Sequence, residues 1–158
     1  MAAFEPKNPG YRAAAIAMFE DQPAMRTLGI VIVRLAPGEV ELAMLHSPEF
    51  TQQNGFIHAG IITAGLDNSC GVAAFTLMPS EADILTVEFK TTLLAPARGE
   101  RFVFKAEVVK PGRTLTFCEA KAFAEHDGKT TLIATMTGTL MAMLPRVAAS
   151  HEPRVSRG

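Results

Sequence analysis

The second half of the chain reads as four blocks in which apolar and polar positions alternate, at 84–94, 101–109, 114–124 and 130–143. A period of two is that of a half-buried β-strand. Turn-forming residues separate the blocks: APARG over 95–99, then Lys110-Pro111-Gly112-Arg113, then Asp127-Gly128. The last of these is the strongest short hairpin signal in the chain. A β-branched stretch comes earlier, 28–35 (LGIVIVRL), and Pro37-Gly38 turns it into a second strand, 40–45. A short apolar stretch at 11–19 predicts a helix that ends near Asp21-Gln22-Pro23.

One segment has a different texture. Residues 58–77 (HAGIITAGLDNSCGVAAFTL) are Ala-, Gly-, Ile- and Leu-rich and carry a single formal charge, Asp67. The segment is too long for a usual strand, and its apolar residues occupy every face, which predicts a helix buried all round and ended by Pro79-Ser80. Gly60, Gly65 and Gly71 each cost that helix on the order of 1 kcal/mol relative to Ala. The return expected is close approach of a neighbouring backbone or a ligand. About six strands with one long helix inserted after the second predict an α+β architecture, an antiparallel sheet wrapped around that helix. The chain divides into an N-terminal arm with a short helix (1–27), one domain (28–144) and a loose tail (145–158).

Composition narrows the classes. The chain has 158 residues, enough for one domain. Fifteen Lys+Arg balance sixteen Asp+Glu, giving a net charge of −1, which disfavours a nucleic-acid or anionic-membrane partner. Two cysteines cannot form a disulfide framework, and no CxxC or Cys/His cluster suggests a metal. The N-terminus lacks the basic start and apolar run of a signal peptide, and no run of about 18 apolar residues could span a membrane. The expectation is a soluble, cytoplasmic, single-domain protein with no metal and no cofactor.

Asp67 is the residue that most needs a reason. A carboxylate in an apolar helix must be satisfied by a neighbour such as Asn68 or Ser69, or face a cleft and do chemistry. Upstream, Gln52-Gln53-Asn54-Gly55-Phe56-Ile57-His58-Ala59-Gly60 is a polar approach to a helix N-terminus, where the first N–H groups lack intrahelical partners. Such amides, with the helix dipole, suit an anion or oxyanion. His58 there is either a cap or a functional side chain. His58 and Asp67 lie nine positions apart, half a turn out of phase and about 13 Å along a helix. One helix cannot aim both ends at one atom, whereas two helices related by a two-fold axis can. A catalytic site here is expected to be shared between subunits.

Residues 52–71, in the form Q-x-x-G-x-x-H-A-G-x-x-x-x-x-x-D-x-x-x-G, resemble the signature of the PaaI-type hotdog-fold acyl-CoA thioesterases. The resemblance extends over about 28–143 and includes the Lys-Pro-Gly-Arg-Thr hairpin. It implies a hotdog fold and hydrolysis of an acyl-CoA thioester. The N–H of Ala59, where many relatives have Gly, would polarise the thioester carbonyl. Asp67 of the partner subunit would act as general base or attacking carboxylate. Gln52 falls where the family has Asn, His58 would orient the loop or touch the thioester, and Thr86 would help hold the water. Asn54, Gly55 and Gly60 are expected beside the substrate. Relatives pair dimers through the third strand into tetramers. Coenzyme A enters as part of the substrate, and its phosphates want cations. Of the basic residues between 98 and 121, Arg113 is the choice for a phosphate contact, with Lys110 and Arg98 behind it; solvated strand edges are the plain alternative.

Other residues read as packing. Cys70 and Cys118 are expected as core thiols, Met136, Met141 and Met143 as gap fillers, and Phe56, Phe75 and Phe89 as core or acyl-pocket wall. A Ser-His-Asp hydrolase is disfavoured because no G-x-S-x-G occurs. Two readings compete on the same fold: an enoyl-CoA hydratase/dehydratase, which usually places its acid before the His, and a non-enzymatic acyl-CoA sensor. A sensor would need a DNA-binding segment besides and would lack an acid at position 67. The acyl group, aromatic or medium-chain, is not readable from the sequence.

Overall fold

The computed structural model describes residues 4–145. Residues 1–3 of the expected arm, and all of the expected tail except Pro145, lie outside the described residues. The order is α1 (Tyr11–Glu20), α2 (Pro23–Leu28), β1 (Val31–Ala36), β2 (Glu39–Leu45), a 3-10 turn (Pro48–Phe50), α3 (Ala59–Phe75), β3 (Asp83–Leu93), β4 (Arg101–Lys110), β5 (Leu115–His126) and β6 (Lys129–Met143). The six strands form one antiparallel sheet in the order β1-β2-β4-β5-β6-β3, and α3 is the helix inserted between β2 and β3. The expected architecture is therefore the one found.

One expectation fails at the first strand. Pro23 does not simply end a helix; it occupies the first turn of a second one, α2, where a missing N–H costs nothing. Gly29 then stops α2 in the left-handed conformation (φ 64°), and Ile30 N–H returns to Met25 O at 3.0 Å. The start of the LGIVIVRL run is thus a helix end and its cap, and the strand begins at Val31. The Asp127-Gly128 hairpin is as expected: both residues have positive φ, 48° and 71°, which suits a two-residue turn matched to strand twist.

The sheet curls around α3. Ile62, Leu66, Cys70, Val72, Ala73 and Ala74 are buried against Leu42, Phe102, Phe104, Ala120, Ala122, Met136 and Leu140. The helix is not buried all round, however. Ala64, Asp67, Asn68, Gly71 and Phe75 share a half-exposed face that α1 covers only in part. The sheet has one long open edge, β3. There Leu85, Val87 and Phe89 are 51%, 53% and 46% exposed. An exposed apolar edge strand of this length invites pairing with another chain.

Candidate active site

The turn before α3 is held from three sides. Thr51 and Ile57 form an isolated antiparallel bridge, His58 N–H donates to Phe50 O at 2.8 Å, and Ile57 N–H donates to Ala97 O at 3.0 Å. Gly55 turns the loop with φ 82° and donates its N–H to Gln52 O at 2.9 Å. The Gln52 side-chain oxygen accepts from Asn54 N–H, so both residues are partly used in building the turn. His58 is the N-cap of α3: its Nδ1 accepts from Gly60 N–H at 2.9 Å. A neutral ring accepting there carries its proton on Nε2. Gly60's amide is thereby taken by the cap. The amide left without an acceptor among the described residues is Ala59 N–H, and Ala59 lines a cavity of about 610 Å³ together with Gln52, Phe56, His58, Ile62, Leu93 and Ile133.

Asp67 lies two turns along the same helix, on the half-exposed face. Thr86 Oγ1, on β3, donates to Asp67 Oδ1 at 2.9 Å. Burial pushes the carboxyl above its ordinary range, and the Thr86 bond opposes that shift without cancelling it. A second cavity, of about 600 Å³, opens here, walled by Met18, Gln22, Asn68, Gly71, Phe75 and Thr86. Asn68 does not satisfy Asp67: its Nδ2 donates instead to Gln22 Oε1 at 2.5 Å, and its Oδ1 is buried without a donor. Ser69 also looks elsewhere, donating to Leu66 O at 2.7 Å. Asp67 itself lines this cavity, and Thr86 is its hydrogen-bond partner among the described residues.

Within one chain the expected site residues fall into two groups. Gln52, His58 and Ala59 line the first cavity, with Asn54, Gly55 and Gly60 in the same turn but not among its walls, whereas Asp67 and Thr86 sit at the second cavity. The eight residues from Ala59 to Asp67 make a rise of about 12 Å, so one chain does not bring the amide to the acid. The basic residues separate as well. Arg98 borders the first group, sharing a hollow with Gly55, His46 and His126. Lys110 and Arg113 stand at the other end of β4, about 30 Å away at strand rise, so on one chain they are not behind or beside Arg98. Cys70 and Cys118 are both buried, Cys118 Sγ lying 3.6 Å from Cys70 O, and contact with Cys118 raises the Cys70 thiol's affinity for its proton. Both are core thiols, as expected. Sequence reasoning missed Met18, Gln22 and the 93–97 segment as cavity walls. Gln22 follows Glu20 and Asp21 directly, so nothing local set it apart from an ordinary polar helix end.

A family model described as thioesterase superfamily matches residues 54–131. Human acyl-coenzyme A thioesterase 13 is 32% identical over 117 residues, covering 72% of this chain and 81% of the human one. The chain belongs to the thioesterase superfamily. A solved thioesterase family protein from Silicibacter pomeroyi is 56% identical and superposes with a TM-score of 0.85, covering 86% of this chain and 100% of that one. The Escherichia coli PaaI protein from the phenylacetic acid degradation operon shares the fold, with a TM-score of 0.76 at 17% identity over 87% of this chain and 96% of that one. The superfamily match spans Gly55, His58, Ala59, Asp67 and Thr86 of this hotdog thioesterase but leaves out α1, α2 and Gln22. No helix among the described residues is long and apolar enough to cross a membrane.

Proposed function

We propose that the protein hydrolyses the thioester of an aromatic or medium-chain acyl-CoA in a site built by two subunits. The observation that carries this reading is a single helix offering a free amide in one cavity and a raised, Thr-bonded carboxylate in another, too far apart to act on one atom. A two-fold pairing along the open edge of β3 closes the distance. It covers Leu85, Val87 and Phe89, and it sets the half-exposed faces of the two α3 helices side by side and antiparallel. Two such dimers then associate as a tetramer.

In that site Ala59 N–H donates to the thioester carbonyl oxygen and stabilises the oxyanion as it forms; a donor so placed is worth roughly 3–4 kcal/mol in other hydrolases. Gln52 and His58 hold the turn that aims it. Asp67 of the partner subunit takes a proton from water as the water attacks the carbonyl carbon. The C–S bond then breaks, the free acid forms, and the proton passes to the leaving thiolate. Raised proton affinity makes Asp67 a better base near neutral pH, and Thr86 fixes its orientation. Coenzyme A carries its phosphates out past Arg98, with Lys110 and Arg113 of the partner subunit as further cations. No metal or redox group has a step in this chemistry.

The test is thiol release over a panel of acyl-CoAs, wild type beside Asp67→Asn. The reading predicts turnover by wild type and a kcat loss of about a hundredfold or more in the variant, with KM little changed. An acyl-CoA sensor would bind without freeing thiol, a hydratase would add water across a double bond with no thiol release, and equal turnover by the two proteins would remove Asp67 from the mechanism.

A further inference from the structure

Gly65 and Gly71 both lie inside α3, where glycine weakens a helix relative to alanine. Packing explains Gly65. A Cβ built there would meet the Phe104 ring at 2.5 Å, so only hydrogen fits. Packing within the chain does not explain Gly71: a Cβ there would have nothing within 4 Å. Nor does backbone geometry explain it, because Gly71 is not among the glycines with positive φ. Within one chain the space at this position holds nothing that a side chain would displace.

That space is part of the Asp67 cavity. Gly71 is four residues beyond Asp67 and Phe75 four beyond Gly71, so the three stack along one face of α3. Met18 from α1 closes the cavity opposite, with Val72 and Ile84 contributing apolar wall. The same cavity is lined by three carboxylates, Asp21, Asp67 and Asp83. Those charges repel the phosphates of coenzyme A. Of the two ends of an acyl-CoA, only the uncharged acyl end is compatible with this cavity.

We infer that Gly71 is the specificity-determining position of the acyl pocket: by lacking a side chain it leaves room for the acyl group beside Asp67, between α3 and α1. The inference rests on the proposed thioesterase reading and adds to it which part of the chain measures the acyl group. A bulkier residue at 71 shortens the pocket, so larger acyl groups lose most.

The experiment compares wild type, Gly71→Ala and Gly71→Leu on acetyl-, butyryl-, hexanoyl-, benzoyl- and phenylacetyl-CoA. It reads thiol release, binding of the matching non-hydrolysable thioether analogues, melting temperature and mass in solution. The expected result is a loss of kcat/KM that grows with acyl size and with the size of the new side chain, reaching about tenfold or more for Gly71→Leu on phenylacetyl-CoA. Melting temperature should stay level or rise in Gly71→Ala, with mass unchanged. Equal losses across the panel would overturn the inference. So would dissociation of Gly71→Ala into single chains, because the glycine would then serve contact with the partner helix. Should wild type bind the analogues but release no thiol, the thioesterase reading fails alone, and size-graded loss of analogue binding still sustains the role of Gly71. Absence of binding to every analogue overturns both.

Discussion

Thr86 is the residue whose chemistry is easiest to isolate. Its hydroxyl donates to Asp67 Oδ1, a bond that favours the charged carboxylate, while burial favours the neutral acid and prevails. The base works only when deprotonated, so the acidic limb of the rate profile follows the carboxyl's proton affinity. In wild type that limb should lie above the range of an ordinary carboxylate. Thr86→Val keeps the shape and removes the opposing bond, so the limb should move further toward high pH, with kcat lowered about tenfold or more on its plateau. The check is kcat/KM against pH for both proteins. A limb that stays put or moves toward low pH contradicts the assignment. Asp67 itself was legible in the sequence because a charge inside a twenty-residue apolar run demands a reason. Thr86 was not, since nothing local to β3 marks one threonine among several; it entered only through the family resemblance. That the His58 ring would be a cap, taking Gly60 N–H and leaving Ala59 N–H open, could be framed as an alternative but not decided without coordinates.

Helix α3 was the clearest element in the sequence, and its departures from expectation are informative. Sequence reading made it buried all round, because it weighed composition and not position. The structure buries one face under the sheet and leaves Ala64, Asp67, Asn68, Gly71 and Phe75 half exposed. The polar members of that face are Asp67, the proposed base, and Asn68, which donates to Gln22. Strands β2 to β6 were read nearly to the residue, since alternation and turn chemistry agree along them. Helix α2 was missed because Pro23 was read only as a helix end and Leu28 was taken into the β-branched run, from which the Gly29 cap divides it. Gln22, in the elbow that α1 and α2 form, then reaches Asn68 beside the base, a long-range contact no local pattern encodes. The glycines of α3 give the element its own test. Gly65→Ala gains helix propensity of about 1 kcal/mol but must push Phe104 aside, an overpacking cost of about 1–3 kcal/mol. Thermal unfolding should therefore show it no more stable than wild type and destabilised by up to about 2 kcal/mol. A clear rise in melting temperature would mean the Phe104 ring yields freely.

At the scale of the molecule, one chain displays two separate cavities and an apolar edge, and the proposed dimer answers both at once. The edge strand β3 carries Thr86 and borders the Asp67 cavity, so in the proposed dimer a second copy covering it would complete the site as it buries the surface. Two copies are proposed from spacing alone, because the turn at His58 and Asp67 cannot converge along one helix. The surface that would join them was not legible in the sequence, since sheet order cannot be read from strand patterns and β3 follows α3 in sequence yet pairs with β6.

The measurement that reaches the central claim most directly is subunit complementation. Ala59→Pro removes only the donor amide, at a first-turn position where proline is tolerated and after a residue already extended (His58 ψ 138°). Asp67→Asn removes only the base. Each variant alone should be inactive yet folded. Co-expressed with two different tags and purified through both, the mixed dimers should hold one intact site and one doubly defective site, and return about half of wild-type activity. Mixed dimers no more active than either parent would show that donor and base act from the same chain, and the shared site would be gone.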